Sequence, residues 1–172
     1  LGATLCPILE ELRYQVFKQS RGQHGDLCCA PTNKDEVEKQ LNWFNLISFK
    51  LIALSNVDTC ETDLQVAYQT NAHCVEVLSS VIMGMSVKPH LIHISTDHLY
   101  QGHGPHDENA ASPINLYDLT KFTGELVASK AGATILPQIF LAKVDTPTDR
   151  VFQIDFAALI AKHEFTVFDD VY

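Results

Sequence analysis

Two short apolar runs govern what this chain can fold into. Ile47–Leu54 reads ISFKLIAL and Pro89–Ile94 reads PHLIHI, and neither alternates strictly between apolar and polar residues. A strand with one wet face alternates, whereas a strand covered on both faces does not. Both runs therefore predict strands buried inside a parallel sheet. Between them, Val66, Ala67, Thr70, Cys74, Val77, Leu78 and Val81 form a stripe at helical spacing within Leu64–Met83. Parallel strands need a long crossover, and a helix of that length supplies one. The pattern recurs along the chain. Helices are expected over 3–13, 32–44, 116–130 and 151–162, and strands over 14–18, 133–141 and 165–168, with 142–150 as a connector. Such alternation predicts an α/β fold with a doubly wound parallel sheet. Ligands bind such sheets at the carboxyl ends of the strands, so the residues after Leu54 and Ile94 are the places for chemistry.

Composition narrows the classes. The 172 residues are 46% hydrophobic, too apolar for a disordered segment, and their formal net charge is −9. That field repels phosphates, which argues against a nucleic-acid partner. No apolar run approaches the roughly 20 residues that span a bilayer. No basic-then-apolar leader opens the sequence either, so no membrane partner and a cytoplasmic setting are expected. The five cysteines include the adjacent pair Cys28 and Cys29 but no Cys-x-x-Cys, which predicts reduced thiols. His98, His103, His106 and Asp107 share one loop. No rigid element underlies them, so a polar loop on the substrate side is expected and no metal.

Ser95-Thr96-Asp97 follows the second buried run, and Tyr117-Asp118-Leu119-Thr120-Lys121 opens a predicted helix. A spacing of four puts Tyr117 and Lys121 on one helix face. An ammonium near a phenol favours phenolate and lowers its pKa. With a hydroxyl from Ser95 or Thr96 holding a carbonyl oxygen, the set can move a proton to or from a carbonyl or alcohol while hydride moves elsewhere.

The block Leu91-Ile92-His93-Ile94-Ser95-Thr96-Asp97-His98-Leu99-Tyr100-Gln101-Gly102 resembles the extended short-chain dehydrogenases/reductases, in their dTDP-4-dehydrorhamnose reductase branch. Glu108, the run Ser112–Tyr117, Lys121, Gly124 and Glu125 follow in that branch's order. Ala53–Glu61 resembles its earlier strand-end signature, Asn71 matches an asparagine of the next helix, and Asp26-Leu27 matches the pair beside the adenine. Leu1-Gly2 resembles the tail of the Gly-rich turn, and Thr166–Tyr172 the opening of the substrate domain. The resemblance implies a Rossmann-like sheet lacking its first strand. Residues 1–141 would form the NAD(P)-binding domain, and 142–172 a connector and the start of a substrate-binding domain, as in a piece truncated at both ends.

The same resemblance implies roles. Thr96 would polarise the substrate carbonyl, Tyr117 would donate the proton, and Lys121 would lower the Tyr117 pKa and bind the nicotinamide ribose. Gly2, Arg21, Asp26, Leu27, Ala53, Leu54, Ser55, Asn71 and Ser95, with Tyr117 and Lys121, would hold the cofactor. Arg21 stands where a base would pair with a 2′-phosphate, which favours NADP(H) over the alternative NAD(H). The implied activity is an NADP(H)-dependent reduction of a nucleotide-sugar ketone, with a homodimer as one arrangement. The alternative is a non-catalytic regulatory subunit serving a partner enzyme, resembling the methionine adenosyltransferase beta subunit. Departures from the branch are Asp118 for a glycine, Pro137 for an arginine and Lys50 for an apolar residue or histidine. Asp118 is expected to blunt the effect of Lys121. Loss of the first strand is expected to leave two inner strand edges unpaired and the chain prone to melt early.

Overall fold

The computed structural model describes residues 2–20, 25–42, 46–102, 106–138 and 164–168. A first helix, α1 (Gly2–Glu11), leads into β1 (Val16–Ser20) and the two-residue β2 (Leu27–Cys28). Then come α2 (Lys34–Leu41), β3 (Leu46–Lys50), α3 (Val57–Thr62), α4 (Leu64–Tyr68) and α5 (Cys74–Gly84). A π-helical turn, Gln69–His73, joins α4 to α5. The remaining elements are β4 (His90–Thr96), α6 (Leu116–Lys130), β5 (Thr134–Gln138) and β6 (Glu164–Phe168).

Local chemistry explains where the helices begin. Asn33 accepts the N–H groups of Asp35 and Glu36 at the start of α2. Asn56 accepts from Thr59, Asp63 from Val66 and Asn115 from Asp118, opening α3, α4 and α6. Each such cap contributes about 1 kcal/mol. The stripe expected over Leu64–Met83 forms one continuous run through α4, the π turn and α5. The short α3 has no sequence period to announce it.

All strands pair in parallel, in the order β2-β1-β6-β3-β4-β5. On β4, Leu91 packs into a core with Val37, Leu41, Ile52, Val75, Leu78 and Ile82, while Ile92 and Ile94 pack with Leu5, Cys6 and Leu9 of α1. Both faces are covered, which is why that run does not alternate.

One expectation is corrected. The inner edges of β1 and β3 are not left open, because β6 lies between them. Val16 to Gln19 pair with Phe165 to Phe168, and Leu46 to Lys50 pair with Glu164 to Phe168. Backbone donors and acceptors buried without partners cost about 1–3 kcal/mol each, so a strand in that slot is strongly favoured. The residues expected at the opening of a substrate domain thus supply the middle of the sheet. The helix expected over 151–162 and the connector at 142–150 lie outside the described residues.

Candidate functional site

Parallel topology gathers the site at one end of the sheet. α6 runs into β5, so its first turn lies at the carboxyl end of the strands, where β4 delivers Ser95 and Thr96. The N-terminus of α1, with Gly2, lies at the same end for the same reason.

Tyr117, in the first turn of α6, is buried in a small cluster with Cys60 and Ala67, bordered by Leu54, Val57 and Leu116. The hydroxyl of Thr96 lies beside its phenol. Thr96 also accepts the His98 N–H at 3.3 Å, and the His98 ring stands edge-on to the Tyr117 ring with centroids 5.9 Å apart. Burial pushes the Tyr117 phenol above the usual tyrosine range. Thr96 opposes the rise, while Asp118, Cys60 and Asp97 add to it.

Lys121, expected to act on this phenol, reaches the end of β4. Its ammonium is fully buried and donates to the carbonyl oxygen of Ile94 at 2.7 Å. Burial, and then Lys50, push its pKa well below the usual lysine range, with Glu125 pulling the other way. Tyr117 and Lys121 share a helix face, and the hydrogen bond of Lys121 goes to the floor of the sheet.

The expected cofactor-side residues divide. Asn71 is buried on the π turn; its Oδ1 accepts the Leu54 N–H at 2.8 Å and its Nδ2 donates to the Leu54 carbonyl at 3.1 Å and to Thr120. It therefore fixes the Ala53–Ser55 lip rather than standing free for a ligand. Asp26 accepts the Lys18 N–H at 2.9 Å, which ties the segment before β2 to β1. Leu27 pairs with Gln19 in the register of β1 and β2. Ser95 is buried beside Glu125, whose carboxyl is pushed up by burial while Ser95 and Lys121 pull it down. Arg21 lies outside the described residues. Among the described residues, no group of three His, Cys, Asp or Glu side chains is placed to hold a metal ion. Pro137, on β5, pairs in register with Ser95.

Two buried bases were not assigned roles from the sequence. Lys50 pairs in register with His93 across β3 and β4, so both point to the same face. Lys50 Nζ donates to the carbonyl oxygens of Ile52 and Thr70. Burial lowers its pKa to about 8, with Cys74 opposing. His93 is fully buried, neither ring nitrogen has a partner, and burial with Lys121 and Lys50 holds its pKa well below the usual histidine range. The only sequence signal was a polar residue inside each apolar run.

Lys50 gives a stability expectation with a definite sign. Between pH 8 and the model-peptide value of 10.5 the unfolded chain holds a proton that the folded chain has released. Stability therefore rises with pH across that window, and about 3 kcal/mol is withheld below it. Urea unfolding at several pH values should show a shallower rise in Lys50→Met than in the wild type. An unchanged slope would show that Lys50 is not the group responsible.

The residues present fit a dinucleotide. A helix N-terminus with Gly2, the Ala53–Ser55 lip and Lys121 all converge on the carboxyl end, and Lys121 keeps donors beyond the one given to Ile94. Among the described residues no helix is long and apolar enough to cross a membrane.

Comparison with known proteins agrees with this architecture. No curated protein matches the chain by sequence. A protein from Sulfolobus tokodaii described as a hypothetical dTDP-4-dehydrorhamnose reductase superposes with a TM-score of 0.60 at 26% identity, over 73% of this chain and 49% of that one. The Bacillus anthracis dTDP-4-dehydrorhamnose reductase, solved with NADP, gives 0.55 at 22% identity over 69% and 50%. The Thermotoga maritima UDP-glucose 4-epimerase, solved with UDP-glucose, gives 0.61 at 19% identity over 78% and 50%. The chain spans about half the length of these solved relatives. Residues 1–139 match the family described as the RmlD substrate binding domain, and the chain belongs to that family.

Proposed function

We propose that this chain is the cofactor-side part of an NADP(H)-dependent reductase acting on the ketone of a nucleotide sugar. The observation that carries the reading is the meeting of Thr96, at the end of β4, with the Tyr117 phenol in the first turn of α6. A bound reduced nicotinamide supplies the hydride. Thr96 holds the substrate carbonyl oxygen by a hydrogen bond, and Tyr117 gives that oxygen its hydroxyl proton. Lys121 and the Ala53–Ser55 lip hold the cofactor's ribose and backbone, Ser95 and Asn71 shape the floor beneath it, and Asp26 with Leu27 flank the adenine. Residues 1–141 carry this cofactor side, and β6 completes its sheet. Five cysteines, four of them buried, suit a reducing cytoplasmic compartment.

NADPH and NADH titrated against the protein test this directly. NADPH is expected to bind more tightly, and Arg21→Ala to weaken NADPH selectively by about tenfold or more, the worth of a charge-assisted hydrogen bond. Equal loss for both cofactors would make Arg21 a bystander. No binding of either would favour the regulatory-subunit alternative.

A further inference from the structure

The end of β3 and the π turn are joined by side chains that do not reach solvent. Lys50, Thr70, Asn71 and Thr120 are all buried. Lys50 Nζ donates to the Ile52 carbonyl, just beyond β3, and to the Thr70 carbonyl on the π turn at 3.2 Å. Both acceptors are main chain. Taking an ammonium out of water without a carboxylate to pair with is costly, and a well-packed apolar side chain avoids that cost. What Lys50 supplies is a cross-link between two backbone segments that neither strand pairing nor helical bonding connects.

The π turn carries that cross-link onward. The Cys74 N–H bonds to the Gln69 carbonyl, five residues back, and Cys74 Sγ donates to the same oxygen at 3.0 Å. Such turns are rare and occur frequently at functional sites. Next to Thr70 stands Asn71. Its side chain accepts the Leu54 N–H at 2.8 Å and donates to the Leu54 carbonyl and to Thr120 Oγ1, at 3.1 Å each. Thr120 Oγ1 donates to the Tyr117 carbonyl at 2.9 Å. One continuous link thus runs from Lys50 through the π turn to both sides of the site, the Leu54 lip and the first turn of α6.

We propose that Lys50 is a positioning residue for the cofactor: it locks the π turn against the end of β3, and that turn, through Asn71 and Thr120, sets the spacing between the Leu54 lip and the α6 turn that carries Tyr117. The proposal rests on the reading of the lip and the α6 turn as two sides of a dinucleotide site. Residues 51–56 belong to no strand or helix, so the lip takes its place from the bonds to Asn71. Without Lys50 the π turn loses its tie to β3, and the lip is held by a turn that is free to shift. A cofactor must then order the lip as it binds, which lowers its affinity.

Amide hydrogen exchange tests the link without cofactor or substrate. In the wild type the Leu54 N–H, although in a loop, is expected to be protected from exchange. Exchange at the rate of an open loop overturns the proposal, whether or not any variant folds. Lys50→Met keeps an apolar stem and removes the donor. Leu54 should then exchange about tenfold faster relative to the core amides, the worth of about one hydrogen bond. Val37→Ala, a truncation in the core on α2, separates this from general loosening, because Leu54 should there change only in step with the core. Equal behaviour of Leu54 in the two variants overturns the proposal. In NADPH titrations Lys50→Met and Thr120→Val should each weaken binding about tenfold, and the double variant by less than the product, because both act through the π turn. Losses that multiply overturn it. Faster Leu54 exchange in Lys50→Met, in a protein that binds neither NADPH nor NADH, would overturn the reductase reading while supporting the link from Lys50 to the lip.

Discussion

Replacing Tyr117 with phenylalanine is expected to lower the proposed carbonyl reduction by about 10²–10⁴-fold, the usual worth of a positioned general acid. The ring keeps its packing against Cys60 and Ala67, so the fold and cofactor affinity stay within a few-fold of wild type. Only the hydroxyl, which lies beside Thr96, is lost. Turnover and cofactor Kd measured on the same preparations separate the two effects. Near-normal turnover in the variant would remove Tyr117 from its assigned role.

The second large effect is on stability and comes from Gly124. A Cβ there would lie 2.6 Å from the backbone oxygen of Asn71 and 3.4 Å from both His93 Nε2 and Val75 Cγ2. The nearest atom is main chain, on the π turn, and cannot swing aside as a side chain would. Gly124→Val adds two further methyls to that contact, so α6 must move off the turn. Overpacking of this kind costs typically about 1–3 kcal/mol, and a backbone clash belongs at or above the upper end. For a chain of this size each kcal/mol is worth about 2–4 °C in Tm. The displacement also disturbs Asn71, and through it Leu54 at the cofactor lip, so cofactor affinity should fall with Tm. Gly84, the last residue of α5, is the control, since nothing lies within 4 Å of a Cβ built there. Gly84→Ala should leave Tm unchanged or raise it, because alanine favours helix by about 1 kcal/mol over glycine. Equal melting of Gly124→Val and wild type would show that α6 and the π turn are not in tight contact.

What the sequence disclosed follows the range of each interaction. The runs at β3 and β4, the α4–α5 stripe and the Tyr117–Lys121 spacing depend on neighbours in the chain, and the structure contains the corresponding elements. Thr96 and Tyr117 were legible as neighbours because parallel topology must bring the end of β4 and the start of α6 to one end of the sheet. The direction in which Lys121 points was not legible. Helical spacing fixes the face of a residue, but the acceptor for a long side chain, here the Ile94 carbonyl, depends on how deeply the helix is packed. Lys50 and His93 were hidden for the same reason, since strand register alone makes them neighbours. The strand at 165–168 was legible as an element, but its place was not, because sheet order is decided by hydrogen-bonding demand across the whole molecule.

That place bears on how the fold is reached. β6 follows the other described strands in sequence yet is central in the sheet, so the two pairings that join the halves of the sheet are both long-range. β1 with β2, and β3 with β4 and β5, can form as they leave the ribosome, but they cannot be united until β6 has been synthesised. Pairing at such separation carries a large loop-closure entropy and slows folding. Until then the nascent chain exposes two unpaired strand edges, the surfaces through which partly folded sheets associate. The interval before β6 is in place is therefore when the sheet most needs protection from other copies of the chain.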